Sequence, residues 1–104
     1  MNNYVLIFYG GKMPETKAQQ AAEMKRWTKW FAKIGKAVKD PGNPFAPKAM
    51  SVGGGGVRPV SGGKVGGYTI IQAPSLEAAV KIAKICPVIK AGGKVSVYET
   101  FNVM

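Results

Sequence analysis

The first apolar segment of the chain is apolar on both of its alternating faces. In a strand over residues 4–9, alternate side chains would point to opposite sides. One side would carry Tyr4, Leu6 and Phe8, and the other would carry Val5, Ile7 and Tyr9. A strand that leaves one face in water alternates apolar with polar residues. The pattern therefore predicts a first strand that is covered on both sides and ends at Gly10.

A long helix is predicted next, over residues 17–39. Thr16 stands before it as an N-cap, and Gln19 occupies the capping-box position. Apolar side chains recur every three or four residues and form one stripe: Met24, Trp27, Phe31, Ile34 and Val38. Trp30 lies beside this stripe. Lysines recur on another face, which indicates that this face lies in water: Lys25, Lys29, Lys33 and Lys36.

Proline and glycine dominate residues 40–67. Asp40 ends the predicted helix, and three prolines exclude a helix beyond it: Pro41, Pro44 and Pro47. A short strand is predicted over residues 48–52. Residues 53–67 then hold eight of the chain's 14 glycines, which predicts a flexible loop or a hairpin. This stretch is a candidate binding loop, with plain disorder as the alternative.

The remaining pattern completes an α+β order. It predicts a third strand over residues 68–73, a second helix that Ser75 caps and Pro87 stops, and a last strand over residues 94–100. The order βαββαβ is the ferredoxin-like pattern, a four-stranded antiparallel sheet with two helices on one face. An open apolar sheet of this size is unusual in a monomer. Because two-fold dimers are the commonest oligomers, we predict a homodimer with its sheets face to face.

Length and charge limit the function classes. A chain of 104 residues predicts a single domain over 1–104. The net charge of +10 comes from 15 basic and five acidic residues. Such a surface attracts polyanions. Yet all but two of the basic residues are lysines, whereas specific phosphate and base recognition favours arginine. A basic module that binds nucleic acid or another polyanion is thus an alternative that we do not favour.

The chain contains no histidine and one cysteine. The lack of histidine excludes Ser-His-Asp and Cys-His catalytic sites, the usual zinc sites and histidine-ligated haem. Neither a P-loop nor a G-x-G-x-x-G motif occurs, so we expect no cofactor and no metal. One cysteine cannot form an internal disulfide, no apolar run is long enough to span a bilayer, and the first residues lack the pattern of a signal peptide. We therefore expect a cytoplasmic protein that does not bind membranes.

Short motifs spread over most of the chain carry a family resemblance. They are residues 4–11 (YVLIFYGG), Trp27-x-x-Trp30, Gly67-Tyr68, residues 75–79 (SLEAA), Cys86-Pro87, Gly92-Gly93 and Val95-x-Val97. In this order they resemble the YCII-related family of the dimeric α+β barrel superfamily. The resemblance implies the ferredoxin-like fold, the homodimer and a mostly uncharacterised function, with enzymatic activity proposed for some members.

Two departures from the family remove its chemistry from this chain. Many relatives carry an Asp-Gly-Pro-Phe segment before the third strand, where residues 60–67 here read VSGGKVGG. Some relatives carry a histidine paired with an aspartate in the proposed active site, and this chain has no histidine. The resemblance therefore transfers no catalytic residue to a position of this chain.

The resemblance also implies an interior that encloses a small organic, often aromatic, ligand. We therefore predict a small-molecule-binding protein or a cofactor-independent enzyme, with a structural dimer that holds no ligand as a further alternative. The candidate lining residues are Tyr9, Trp27, Trp30, Phe31, Tyr68 and Tyr98. Core packing is the competing role for the tryptophans.

Asp40 and Glu99 are the candidate catalytic carboxylates. A carboxylate in an apolar site has a raised pKa and can move protons. Turn formation is the competing role for Asp40, and charge balance against lysines is the competing role for Glu99. Cys86 has no base to activate it, and a cysteine before proline at a helix end normally serves packing.

Overall fold

The computed structural model describes residues 1–10, 14–46, 48–60 and 65–103. The α-helices in these ranges are α1 (Lys17–Ile34), α2 (Leu76–Lys84) and the short α3 (Pro87–Lys90), and one turn of 3-10 helix, Gly35–Ala37, follows α1. The strands are β1 (Asn2–Tyr9), β2 (Val38–Asp40), β3 (Met50–Gly53), β4 (Gly56–Pro59), β5 (Val65–Ala73) and β6 (Lys94–Glu99).

Four strands form one antiparallel sheet in the order β2-β5-β1-β6. β1 lies inside this sheet, so that Leu6 stands opposite Thr69 on one side and opposite Val97 on the other. The protein is therefore a mixed α+β protein built on a four-stranded antiparallel sheet, as the sequence predicts.

One face of the sheet carries the core. Tyr4, Leu6 and Phe8 point to this face and are buried. Trp30 of α1 and Ala83 of α2 belong to the same apolar cluster. Removing a large apolar side chain from water contributes about 1.5–3 kcal/mol, so this cluster fixes both helices against the sheet.

The other face of the sheet is apolar along β1, as the pattern of residues 4–9 predicts, whereas Ser96 of β6 stands opposite Ile7. Successive strand residues point to opposite faces, so Val5 and Ile7 lie on the side away from the core cluster. Ile70 stands opposite Val5. All three side chains are half-buried in the single chain.

The predicted helix over residues 17–39 is wrong at its C-terminal end, because α1 ends at Ile34. Gly35 follows with a φ of 49°, and its N–H donates to the carbonyl oxygen of Phe31. Residues other than glycine rarely adopt such a φ, because their Cβ would be crowded. Val38 then pairs with Ile71 in β2, where a β-branched residue fits well. Asp40 ends a strand and not a helix.

The predicted strand over residues 48–52 lies outside the main sheet. β3 pairs with β4 in a separate two-stranded hairpin, while β2 occupies the edge of the main sheet next to β5. The glycines between Val52 and Val57 let the chain fold straight back, so β3 finds its partner locally. Of the glycine-rich stretch 53–67, residues 61–64 lie outside the described ranges.

Candidate functional site

An open cavity of about 570 Å³ lies where β1 ends and β5 begins. The wall contains residues of α1, of the loop 41–44 and of the region around α3. The aromatic lining residues are Phe8, Trp27, Phe31 and Tyr68, and the other large apolar ones include Met24, Pro44 and Val88. Cavities that bind small organic ligands measure about 300–1,000 Å³ and are mostly apolar, so this cavity has the size and lining of a binding site.

The α1 wall follows from helical spacing. Glu23, Trp27 and Phe31 are four residues apart, which places them on one face of the helix. The start of α1 is fixed by a capping box, in which the Gln19 N–H donates to Thr16 Oγ1 at 3.0 Å and Gln19 Oε1 accepts from the Thr16 N–H at 3.3 Å. The register of the lining residues is thus set by the first turn of the helix.

The aromatic rings of this wall are held by one another. The Phe8 and Trp27 rings meet edge to face with centroids 5.2 Å apart, and Trp27 meets Trp30 in the same way at 5.6 Å. Trp30 and Phe31 lie 5.0 Å apart. Such pairs contribute about 0.5–1.5 kcal/mol beyond their burial. The cavity wall is therefore continuous with the core.

The loop 41–44 is bonded to β5 at both of its ends. Thr69 Oγ1 donates to the carbonyl oxygen of Pro41 at 2.9 Å, and the Tyr68 N–H donates to that of Asn43 at 3.3 Å. The Phe45 N–H then donates to the Gly66 carbonyl oxygen at 2.8 Å. The Phe45 ring stacks on Tyr68 with centroids 5.8 Å apart. The proline-rich loop is thus a fixed wall of the cavity.

Two glycines permit this close approach of backbone to backbone. Gly42 has a φ of 70°, and a Cβ at this position would lie 1.8 Å from the carbonyl oxygen of Tyr68. A Cβ at Gly67 would lie 2.9 Å from the carbonyl oxygen of Asn43. The glycines of residues 40–67 therefore include two with a defined packing role.

Glu23 supplies the one charged side chain among the described residues that line the cavity. Its Oε1 accepts a hydrogen bond from Trp27 Nε1 at 3.0 Å, and its Oε2 accepts from Arg26 Nη1 at 2.8 Å. About a quarter of the Glu23 side chain remains exposed, against about half of that of Arg26. The carboxylate is thus held at the cavity from two sides. Sequence reasoning missed Glu23, although its spacing from Trp27 and Phe31 gives the same face.

Of the predicted lining residues, Trp27, Phe31 and Tyr68 line the cavity, although Tyr68 stands opposite Ile7 and thus on the face of the sheet away from the core cluster. Trp30 lies behind them in the core with 3% of its surface exposed, and its Nε1 donates to the Ile82 carbonyl oxygen at 3.2 Å. Tyr9 and Tyr98 belong to the opposite face of the sheet, because they follow the alternation of Val5 and Ile7. The structure therefore does not bring the six predicted aromatic residues together.

The predicted carboxylates are not among the described lining residues, and each has a structural partner. Asp40 Oδ1 accepts from the Gly42 N–H at 2.9 Å, which is the turn-forming role. Glu99 Oε1 accepts from the Tyr4 hydroxyl at 2.9 Å. Burial raises the pKa of the Tyr4 hydroxyl, and the Glu99 carboxylate raises this pKa further. Asp40 thus lies next to the cavity through its bond to Gly42, whereas the partner of Glu99 is Tyr4 in the core.

Cys86 is buried at the N-cap of α3. Burial raises the pKa of its thiol to about 11. Because the thiolate is the nucleophilic form, this cysteine stays protonated and inert near neutral pH. Its packing position matches the structural role expected from the sequence.

The described residues contain no group of three or more His, Cys, Asp or Glu side chains that could hold a metal ion. In the same ranges, no helix is both long and apolar enough to cross a membrane. The chain matches no protein-family model, and a comparison with curated proteins found no match.

Proposed function

We propose that the protein binds a small organic molecule with an aromatic ring in the cavity between α1 and the loop 41–44. The observation that carries this proposal is the cavity itself, about 570 Å³ in volume and lined by aromatic rings. Pre-formed apolar cavities with a few convergent polar groups are the usual form of small-molecule sites. The fixed loop and the interlocked rings support binding without a large rearrangement.

Binding, and not catalysis, is the role that the lining supports best. Glu23 is the candidate general base, but both of its oxygens already accept hydrogen bonds from Arg26 and Trp27. Near neutral pH, a buried thiol such as that of Cys86 offers no nucleophile. A cofactor-independent enzyme would need Glu23 to move a proton, and it would lose turnover in Glu23→Gln while keeping ligand affinity.

The proposal includes a ferredoxin-like homodimer of the YCII-related kind. The strand order β2-β5-β1-β6 and the common cluster of both helices support the fold. The half-buried apolar face with Val5, Ile7 and Ile70 supports a second sheet as its cover. Light scattering at micromolar concentration should give twice the monomer mass of 11.0 kDa. A monomer mass would refute the dimer and leave the cavity proposal standing.

The net charge of +10 has no part in this binding site. Lys25, Lys29 and Lys33 are exposed along α1, as expected for a solvated face. Retention on immobilised heparin should therefore disappear at physiological salt, since contacts with solvated lysines are screened. Retention that persists there would favour the alternative of a polyanion-binding module.

Filling the cavity tests the proposal directly. Ala91 lines the cavity, and Ala91→Trp would occupy part of its volume. Ala22 is exposed on α1 and is not among the lining residues, so Ala22→Trp is the matched control. Calorimetric titration with naphthylethanol should show binding to the wild type and to Ala22→Trp, and none to Ala91→Trp. Equal binding to all three proteins would refute the cavity as the site.

A further inference from the structure

We propose that the cavity selects aromatic compounds that carry a cationic amine over the corresponding neutral and acidic compounds. This inference rests on the proposed function, because it specifies the ligand class of the same cavity. It also opposes the expectation from overall composition, since a protein with a net charge of +10 attracts acids at long range.

Glu23 brings a carboxylate to the described lining of the cavity, and Arg26 pairs with it from outside that lining. Among the described lining residues it is the one charged group, and the lysines of α1 are absent from that lining. A carboxylate has about four acceptor positions. Arg26 and Trp27 fill two of them. An ammonium group in the cavity can therefore donate to the remaining positions, whereas a ligand carboxylate would meet a like charge.

The aromatic wall favours the same ligand class. The Trp27 and Phe31 rings lie beside Glu23 along α1, with their centroids 6.1 Å apart. Ring faces attract cations, and the indole ring does so most strongly. A flat apolar group with an ammonium on a short linker can thus contact the rings and Glu23 together. A neutral analogue keeps the ring contacts alone.

Local and long-range electrostatics can be separated by distance. At physiological ionic strength the field of an exposed charge is screened over about 8 Å. The exposed lysines act through water, whereas Glu23 would touch the ligand directly, so that little water lies between the two charges. We therefore expect the local carboxylate to determine the preference, and the net charge of the chain to have little effect on it.

The test uses three compounds of one shape: naphthylethylamine, naphthylethanol and naphthylacetate, titrated calorimetrically at physiological salt. The amine should bind about tenfold more tightly than the alcohol, as expected for a hydrogen bond to a charged group. The acid should bind most weakly. The phenyl series of the same three compounds, run alongside, keeps the result independent of ring size.

Two variants with opposite expected effects distinguish the role of the Glu23 charge from non-specific effects of substitution. Glu23→Gln keeps an acceptor for Trp27 Nε1 and should abolish the roughly tenfold preference for the amine, with the affinity for the alcohol unchanged. Arg26→Gln removes the competing cation and should tighten amine binding about two- to fivefold. Glu77→Gln on α2 and Arg58→Gln on β4 are the matched controls, because neither residue lines the cavity.

The outcomes distinguish this inference from the function on which it rests. If the alcohol or the acid binds the wild type as tightly as the amine does, the cationic preference is refuted and the cavity proposal stands. The same holds if Glu23→Gln keeps the preference. If no compound of either series binds the wild type, the proposed function fails and the inference fails with it.

Discussion

Gly42→Ala is the substitution whose effect the structure defines most closely. The new Cβ would lie 1.8 Å from the Tyr68 carbonyl oxygen, and real Cβ contacts essentially never fall below 3.0 Å. The neighbouring atom belongs to the backbone of β5 and cannot rotate away. The loop 41–44 must therefore withdraw from β5 by more than an ångström.

Such a displacement breaks the hydrogen bonds that hold the loop. The Thr69–Pro41 bond of 2.9 Å and the Tyr68–Asn43 bond of 3.3 Å both exceed bonding distance after it. Each contributes about 0.5–1.5 kcal/mol. The left-handed backbone at a φ of 70° adds about 1–2 kcal/mol for a residue with a Cβ. We expect Gly42→Ala to lower the free energy of unfolding by about 2–5 kcal/mol.

Gly92→Ala is the matched control for backbone strain. Gly92 has a φ of 88°, and a Cβ there would have no neighbour within 4 Å. Its cost should be the left-handed conformation alone, about 1–2 kcal/mol. Urea unfolding followed by circular dichroism measures both variants. If the two lose the same stability within about 0.5 kcal/mol, the close packing of the loop on β5 is refuted.

Three further predictions concern the core, the thiol and the hairpin. Trp30→Phe should cost about 2–3 kcal/mol of unfolding free energy, because it loses buried volume and a hydrogen bond. Trp27→Phe should cost about 1 kcal/mol of unfolding free energy. If urea titrations gave the same loss for both variants, the different burial of Trp27 and Trp30 would be contradicted. Burial raises the pKa of the Cys86 thiol from 9.0 to about 11. The stability that this shift contributes to the folded protein is therefore fully present below pH 9 and is lost as the pH rises towards 11. In Cys86→Ala, the unfolding free energy should therefore fall less steeply between pH 9 and pH 11 than in the wild type. The same slope in both proteins would refute this role of the thiol. Replacing Met50–Pro59 by an Asn-Gly turn should shift the melting temperature by less than about 3 °C, since Met50 and its neighbours are exposed. A larger drop would show that the hairpin supports the core.

Local patterns predict most of the elements. The alternation of residues 4–9, the Thr16 capping box and the Ser75 cap all appear in the structure, because their causes lie within a few residues of one another. The end of α1 has a local signal in Gly35, but the apolar pattern does not stop there. The apolar spacing continues through Val38, and the strand pairing of Val38 with Ile71 is a contact between distant residues that decides against a longer helix.

The candidate site is only partly readable from the sequence for the same reason. Residue type alone does not distinguish Trp27, which lines the cavity, from Trp30, which lies in the core. Trp30 is placed there by a contact with the distant α2, where its Nε1 donates to the Ile82 carbonyl oxygen. Glu23 has no unusual sequence context. It becomes a site residue because the loop 41–44 is bonded to β5 opposite the wall formed by α1.

Site-resolved NMR tests the central claim, ligand binding in this cavity, most directly. Trp27 lines the cavity and Trp30 lies in the core, so their two indole N–H resonances form a probe and an internal control. Titration with naphthylethylamine, followed by proton–nitrogen correlation spectra, should shift the Trp27 resonance in a saturable way and leave that of Trp30 nearly unchanged. Saturable binding that leaves the Trp27 resonance in place would contradict the account.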